Sequence, residues 1–177
     1  PFLRRFLPAM ALWGVVTGSF APFANVYFVH HLGVSMEKTG AIFSFSNIGQ
    51  VVAVLCAPFL FRKAGLVPGI MLTQFATAAA LGLLAFAHTG TQAASIYWCY
   101  MAVQCMNEPG IYSLLMDPIP SPEHNSASAA TFFVSGVAQA VASLAMGSAI
   151  VRFGYSDSLV AIALLAIAAA FVFARLR

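Results

Sequence analysis

Glu108 stands inside a long apolar run, and Tyr100, Gln104 and Tyr112 are spaced around it at four-residue intervals. Each step of four turns a helical side chain about 40° past a full circle, so the four residues form a slowly drifting polar stripe. Hydrocarbon offers no hydrogen-bond partners, and a carboxylate near the middle of a bilayer costs several kcal/mol unless it is paired or protonated. No Lys or Arg falls inside any of the long apolar runs. The chemistry open to Glu108 is therefore the loading and release of a proton. Its rival roles are substrate contact and a bond to a neighbouring helix across a bend at Pro109-Gly110.

Other polar side chains embedded in apolar runs mark where an internal route can pass. Asn107 adjoins the stripe. Asn47 with Gln50, and Ser135 with Gln139, show the same three- to four-residue spacing on two other runs. Bonding between helices and contact with a solute explain those pairs equally well. On the first run, Trp13 and Asn25 are cavity candidates, and Tyr27 is either a third or part of an interfacial aromatic belt. Pro22 predicts a bend in that run. Gly14 with Gly18, and Ser143 with Gly147, are small pairs that allow helices to approach closely.

The elements that hold these residues must live in lipid. Apolar residues make up 61% of the 177 and charged residues 7%, with a mean hydropathy of +0.90. A soluble domain is about half apolar and a quarter charged. The net charge of +3 comes without any basic run carrying interleaved aromatics, so no nucleic-acid footprint is present. Cys56, Cys99 and Cys105 lack any metal-ligand or disulfide spacing and read as small hydrophobes. No metal or cofactor is expected. His30, His31, His88 and His124 all sit at the ends of apolar runs, and no P-loop, nucleophile elbow or H-E-x-x-H is present. An intramembrane enzyme is disfavoured on those grounds.

A span needs about 20 mainly apolar residues. Charge, Pro, Gly and small polar residues divide the chain into six such segments: Phe6 to His30, Lys38 to Phe61, Val67 to His88, Ala94 to Met116, Ser126 to Val151 and Ser158 to Ala174. Ser35 is placed to cap the second, Asn125 and Ser126 the fifth, Ser156 and Asp157 the sixth. The three prolines between Asp117 and Asn125 forbid a continuing helix there. A cytoplasmic N-terminus places Arg4, Arg5, Arg62, Lys63, Arg175 and Arg177 inside and leaves Lys38 and Arg152 outside, which satisfies the positive-inside rule. Both termini are then cytoplasmic. The chain opens at Pro1 with Arg4 and Arg5 ahead of the first apolar run, shows no signal peptide, and reads as a piece of something longer.

Shifted by 89 positions, the chain aligns with itself. Ala41 meets Ala130, Phe43 meets Phe132, Ser46 meets Ser135, Gln50 meets Gln139 and Gly65 meets Gly154, with Lys63 opposite Arg152. The shift lays segments one to three over four to six, giving repeat units 1–89 and 90–177. An odd number of spans inverts the second unit.

With this repeat in place, the whole chain resembles the C-terminal six-helix half of a major facilitator superfamily transporter. The turn Pro58-Phe59-Leu60-Phe61-Arg62-Lys63-Ala64-Gly65 is similar to that family's basic loop between paired helices. Lys63 and Gly65 fit, while Pro58 replaces the first Gly and Arg62 replaces the acid. Leu115-Met116-Asp117 followed by Pro122-Glu123-His124-Asn125-Ser126-Ala127 is similar to a second family stretch, with His124 near the usual Arg. The resemblance implies an all-α membrane protein, a six-helix bundle of two inverted three-helix repeats. It implies a missing N-terminal half of the same polypeptide and a gating loop at Arg62, Lys63 and Gly65. The expected function is secondary active transport of a small organic solute by alternating access, coupled to protons through Glu108, in the plasma or inner membrane. Its alternatives are a channel and a structural membrane protein.

Overall fold

In an apolar solvent every backbone N–H and C=O must be bonded within the protein, which favours long helices. The computed structural model describes residues 2–176 and, among them, holds helices and turns but no strand. Arg177, counted among the inner cations, lies outside the described residues. Helix α1 runs from Phe2–Phe20 through a 3-10 turn at Ala21–Phe23, a short α turn at Ala24–Val26 and a π turn at Tyr27–His31. Pro22 lies in the 3-10 turn, where its missing N–H costs least. The remaining helices are α2 (Met36–Ala64), α3 (Leu66–Ala85), α4 (Gly90–Met116) and α5 (His124–Ala174).

Four of these, α1, α2, α3 and α5, are long and apolar enough to cross a membrane, as a multi-pass membrane protein requires. At 27 residues α4 has the length, but it carries the polar stripe and falls outside that set. A straight helix of the 51 residues of α5 would reach about 75 Å, more than twice the hydrocarbon thickness. It is not straight. Gly154, at φ 80° and ψ 177°, breaks it into limbs 124–153 and 155–174. Gly65 makes a matching break between α2 and α3, at φ 88° and ψ 160°.

The capping expectations divide. Ser35 Oγ accepts the backbone N–H of Lys38 at 3.4 Å, and Thr89 Oγ1 caps α4 in the same way, accepting that of Gln92 at 3.3 Å. The expected caps at Asn125 and Ser126 are corrected. A 3-10 turn at Ser121–Glu123 leads directly into α5, so both residues already lie inside the helix. Ser156 and Asp157 likewise belong to the second limb, because the helix restarts as soon as Gly154 has turned the chain.

Small residues decide which helices meet. A Cβ on Gly14 would stand 2.8 Å from the Ser135 carbonyl oxygen, and one on Gly18 would enter the Gln139 backbone. Ser143 Oγ, on the same limb of α5, donates to the Gly18 carbonyl at 2.8 Å. On the other side of the molecule α2 packs on α4. The Trp98 indole covers Gly49, and its Nε1–H donates to the Phe45 carbonyl at 3.2 Å. The Phe61 ring fills a notch made by Gly69 of α3 and Gly110 of α4. Between these pairs Phe20, Phe28, Tyr97 and Tyr100 form an edge-to-face aromatic core with Tyr27. Tyr27 is therefore no belt residue: it is buried, and its hydroxyl donates to the Leu84 carbonyl at 2.7 Å.

Candidate functional site

Helix α4 packs on α2 and α3 but stands apart from the first limb of α5. The gap is a cavity of about 450 Å³ walled by α1, α4 and α5. Each wall presents side chains four residues apart: Trp13, Thr17 and Ala21 from α1; Gln104, Glu108 and Tyr112 from α4; Thr131, Ser135 and Gln139 from α5. Four-residue spacing keeps a short ladder on one helix face, so α4 and α5 each turn a polar ladder inward and α1 adds Trp13 and Thr17.

Glu108 lies in the middle of the α4 ladder and is exposed to the cavity. Gln139 Nε2 donates to Ser135 Oγ at 3.2 Å, which leaves the Gln139 carbonyl oxygen free of that bond. The Tyr112 ring leans on Phe132 at 5.8 Å between centroids and bridges α4 to α5 at one end of the gap. Among the described residues no Lys, Arg or His lines the cavity, so none of them neutralises a Glu108 carboxylate on its walls. A larger hollow of about 560 Å³ opens between α2 and α4, but its walls are chiefly Ala41, Ile42, Phe45, Ala94 and Trp98. Of the two, the smaller one carries most of the polar side chains.

Six of the expected site residues therefore come together: Trp13, Gln104, Glu108, Tyr112, Ser135 and Gln139. The others do not. Tyr100, the first member of the stripe, is fully buried against Phe20 at 5.8 Å, because four-residue steps rotate the stripe out of the core only by Gln104. Asn107 is also fully buried and receives a hydrogen bond from Thr73 Oγ1 at 2.8 Å, which ties α4 to α3. Gln50 donates to Asn47 Oδ1 at 3.0 Å along α2 and accepts from Cys105 Sγ at 3.1 Å, so this pair serves the α2–α4 contact. Asn25 is exposed beside the 3-10 turn and is not among the cavity walls. Arg62 and Lys63 are exposed at the end of α2, with the Arg62 guanidinium 5.9 Å from the Phe59 ring centroid, and Gly65 turns the chain behind them.

Thr17 and Thr131 were missed. The signal was present, since Thr17 follows Trp13 by four and Thr131 precedes Ser135 by four. Each hydroxyl bonds a carbonyl of its own helix, Thr17 to Gly14 at 3.2 Å and Thr131 to Ala127 at 2.8 Å, and keeps acceptor capacity.

No protein-family model matches the chain, and no curated protein does.

Proposed function

We propose that this chain is one six-crossing half of a secondary transporter of the major facilitator type, moving a small organic solute by alternating access with Glu108 as the proton carrier. The observation that carries the reading is the position of Glu108: a carboxylate on a polar ladder between three helices, in a cavity with no basic side chain on its walls among the described residues. A carboxyl in such a place is tolerated when neutral and costly when charged. Its protonation is then tied to whether the cavity is open to water, the coupling that a proton-driven carrier needs.

Two further observations support the architecture. The breaks at Gly65 and Gly154 fall at equivalent places of the 89-residue repeat and divide the chain into six rods. Packing also follows the repeat: α1 lies on the first limb of α5, and its repeat counterpart α4 lies on α2. Gln104 Oε1 and Tyr100 Oη are buried without a hydrogen-bond partner among the described residues. Unpaired polar groups of this kind collect at functional sites, and of the two Gln104 borders the proposed solute route. In this reading both termini face the cytoplasm, and a further six-helix half closes the cavity from the exposed side of Glu108. The apolar flanks of α2 (Phe45, Ile48, Leu55) and α5 (Phe133, Val141, Leu144) are exposed and offer such a half a surface to pack on.

The test is a screen of small organic solutes with the full-length protein in proteoliposomes under an imposed pH gradient. Gradient-driven uptake is expected for the native protein and its loss for Glu108→Gln, with the variant still folded by thermal unfolding in detergent. Gradient-driven uptake by a folded Glu108→Gln protein would refute the role.

A further inference from the structure

The start of α1 and the end of α5 meet in a third cavity. Arg5 in the first turns of α1 and Arg175 where α5 ends line one cleft of about 410 Å³, and its other walls are Pro8, Val172 and Leu176. Among the described residues no carboxylate side chain lines it. The walls are fixed rather than accidental. Phe6 and Phe173 are fully buried and meet edge to face at 6.2 Å, and Phe2 stacks on Phe6 at 5.4 Å, so the start of α1 is keyed to the end of α5. The last turn is tied as well, with the Arg175 N–H on the Val172 carbonyl at 3.1 Å and the Leu176 N–H on that of Phe173 at 3.0 Å.

Two cations facing one cleft repel each other, and an anion between them removes that cost. Guanidinium groups suit phosphate in particular, because their planar forks can bind its oxygens in pairs. A free phosphate would answer the two arginines but not the apolar wall beside them. A phospholipid answers both. The place is also right, since residues 5 and 175 stand at the outer margins of the first and last apolar runs, at the depth of lipid headgroups on the side we assign to the cytoplasm.

We propose that the Arg5–Arg175 cleft binds the headgroup phosphate of an anionic phospholipid, whose acyl chain lies along Pro8 and Val172. This rests only on the membrane placement of the chain and is independent of transport through Glu108. Bound lipid clamps the first helix to the last and stabilises the bundle by mass action.

The test is thermal unfolding of the full-length protein in detergent with added dioleoyl phosphatidylglycerol, dioleoyl phosphatidylcholine or inorganic phosphate. Phosphatidylglycerol should raise Tm by several degrees more than phosphatidylcholine, and phosphate alone should leave it unchanged. That increment should vanish in Arg5→Ala/Arg175→Ala and survive in Arg152→Ala, which removes a charge far from the cleft. Where the double variant does not fold, Arg175→Gln alone must lose most of the increment. Equal shifts with the two lipids, a phosphate effect as large as the lipid effect, or an increment that outlives the loss of the arginines would each overturn the proposal.

Discussion

Gly65 and Gly154, which stand 89 positions apart, share one backbone conformation: φ 88° and ψ 160° at the first, φ 80° and ψ 177° at the second. Only glycine adopts this region without strain, because a Cβ would collide with the local backbone. Space around the two is ordinary. A Cβ on Gly65 would meet Pro68 no closer than 3.7 Å, and one on Gly154 would meet nothing within 4 Å. Gly65→Ala and Gly154→Ala should therefore each cost about 1–3 kcal/mol through the backbone alone. Thermal unfolding in detergent should show similar losses for both and additive losses for the pair. A neutral Gly154→Ala would mean that the two limbs of α5 are not set by this turn.

The division between cavity and packing residues can be read by thiol labelling. In a background with Cys56, Cys99 and Cys105 replaced by Ser, Gln104→Cys, Ser135→Cys and Gln139→Cys should react with a water-soluble maleimide. Tyr100→Cys and Asn107→Cys should react at least about tenfold more slowly, because burial withholds the thiol from reagent. Equal rates at Asn107 and Gln139 would contradict the assignment of Asn107 to the α3–α4 contact.

Close approach of α1 and α5 depends on Gly18. Gly18→Leu drives a side chain into the Gln139 backbone and should cost about 1–3 kcal/mol or displace α1 outright. Gly136→Ala is the matched control, since a Cβ there meets nothing within 4 Å. Its unfolding temperature should stay at the native value, and an equal loss in the two variants would refute the contact.

Thr73→Val removes the hydroxyl that bonds Asn107 between α3 and α4. Hydrogen bonds inside membrane bundles are worth about 0.6 kcal/mol on average and up to about 2. A stability loss in that range is expected, and Asn107→Leu should couple to it in a double-mutant cycle, while under the proposed transport role the solute profile stays the same. A changed solute profile would return Asn107 to the cavity.

Much of the helical layout was legible because lipid imposes it. Ser35, the turn at Gly65 and the proline-rich stretch after Asp117 each carry a local chemical reason to start or stop a helix, and the structure follows them. The sixth segment was set to begin at Ser158, yet its helix restarts just after Gly154, because a single positive-φ glycine can turn the chain without the capping stretch expected at Ser156 and Asp157. The site was only half legible. Spacing shows that Tyr100, Gln104, Glu108 and Tyr112 share one side of α4, but it does not show where neighbouring helices cover that side. Phe20 of α1 covers Tyr100, and contact between residues so distant in the chain leaves no periodic trace. The π turn at Tyr27–His31 left none either, since its residues also suit an ordinary helix.

Phe61 joins three helices at a single point, with its ring held by Gly69 and Gly110 at the end of α2. A key seated in two locks transmits torque. A displacement of α2 is therefore passed to α3 and α4, so the three helices keep their relative placement as one unit. The same unit is fastened to α1, where Phe20 packs on Tyr100 and the Tyr27 hydroxyl bonds the Leu84 carbonyl, and to α5 through α3, so the walls of the Glu108 cavity are held from behind.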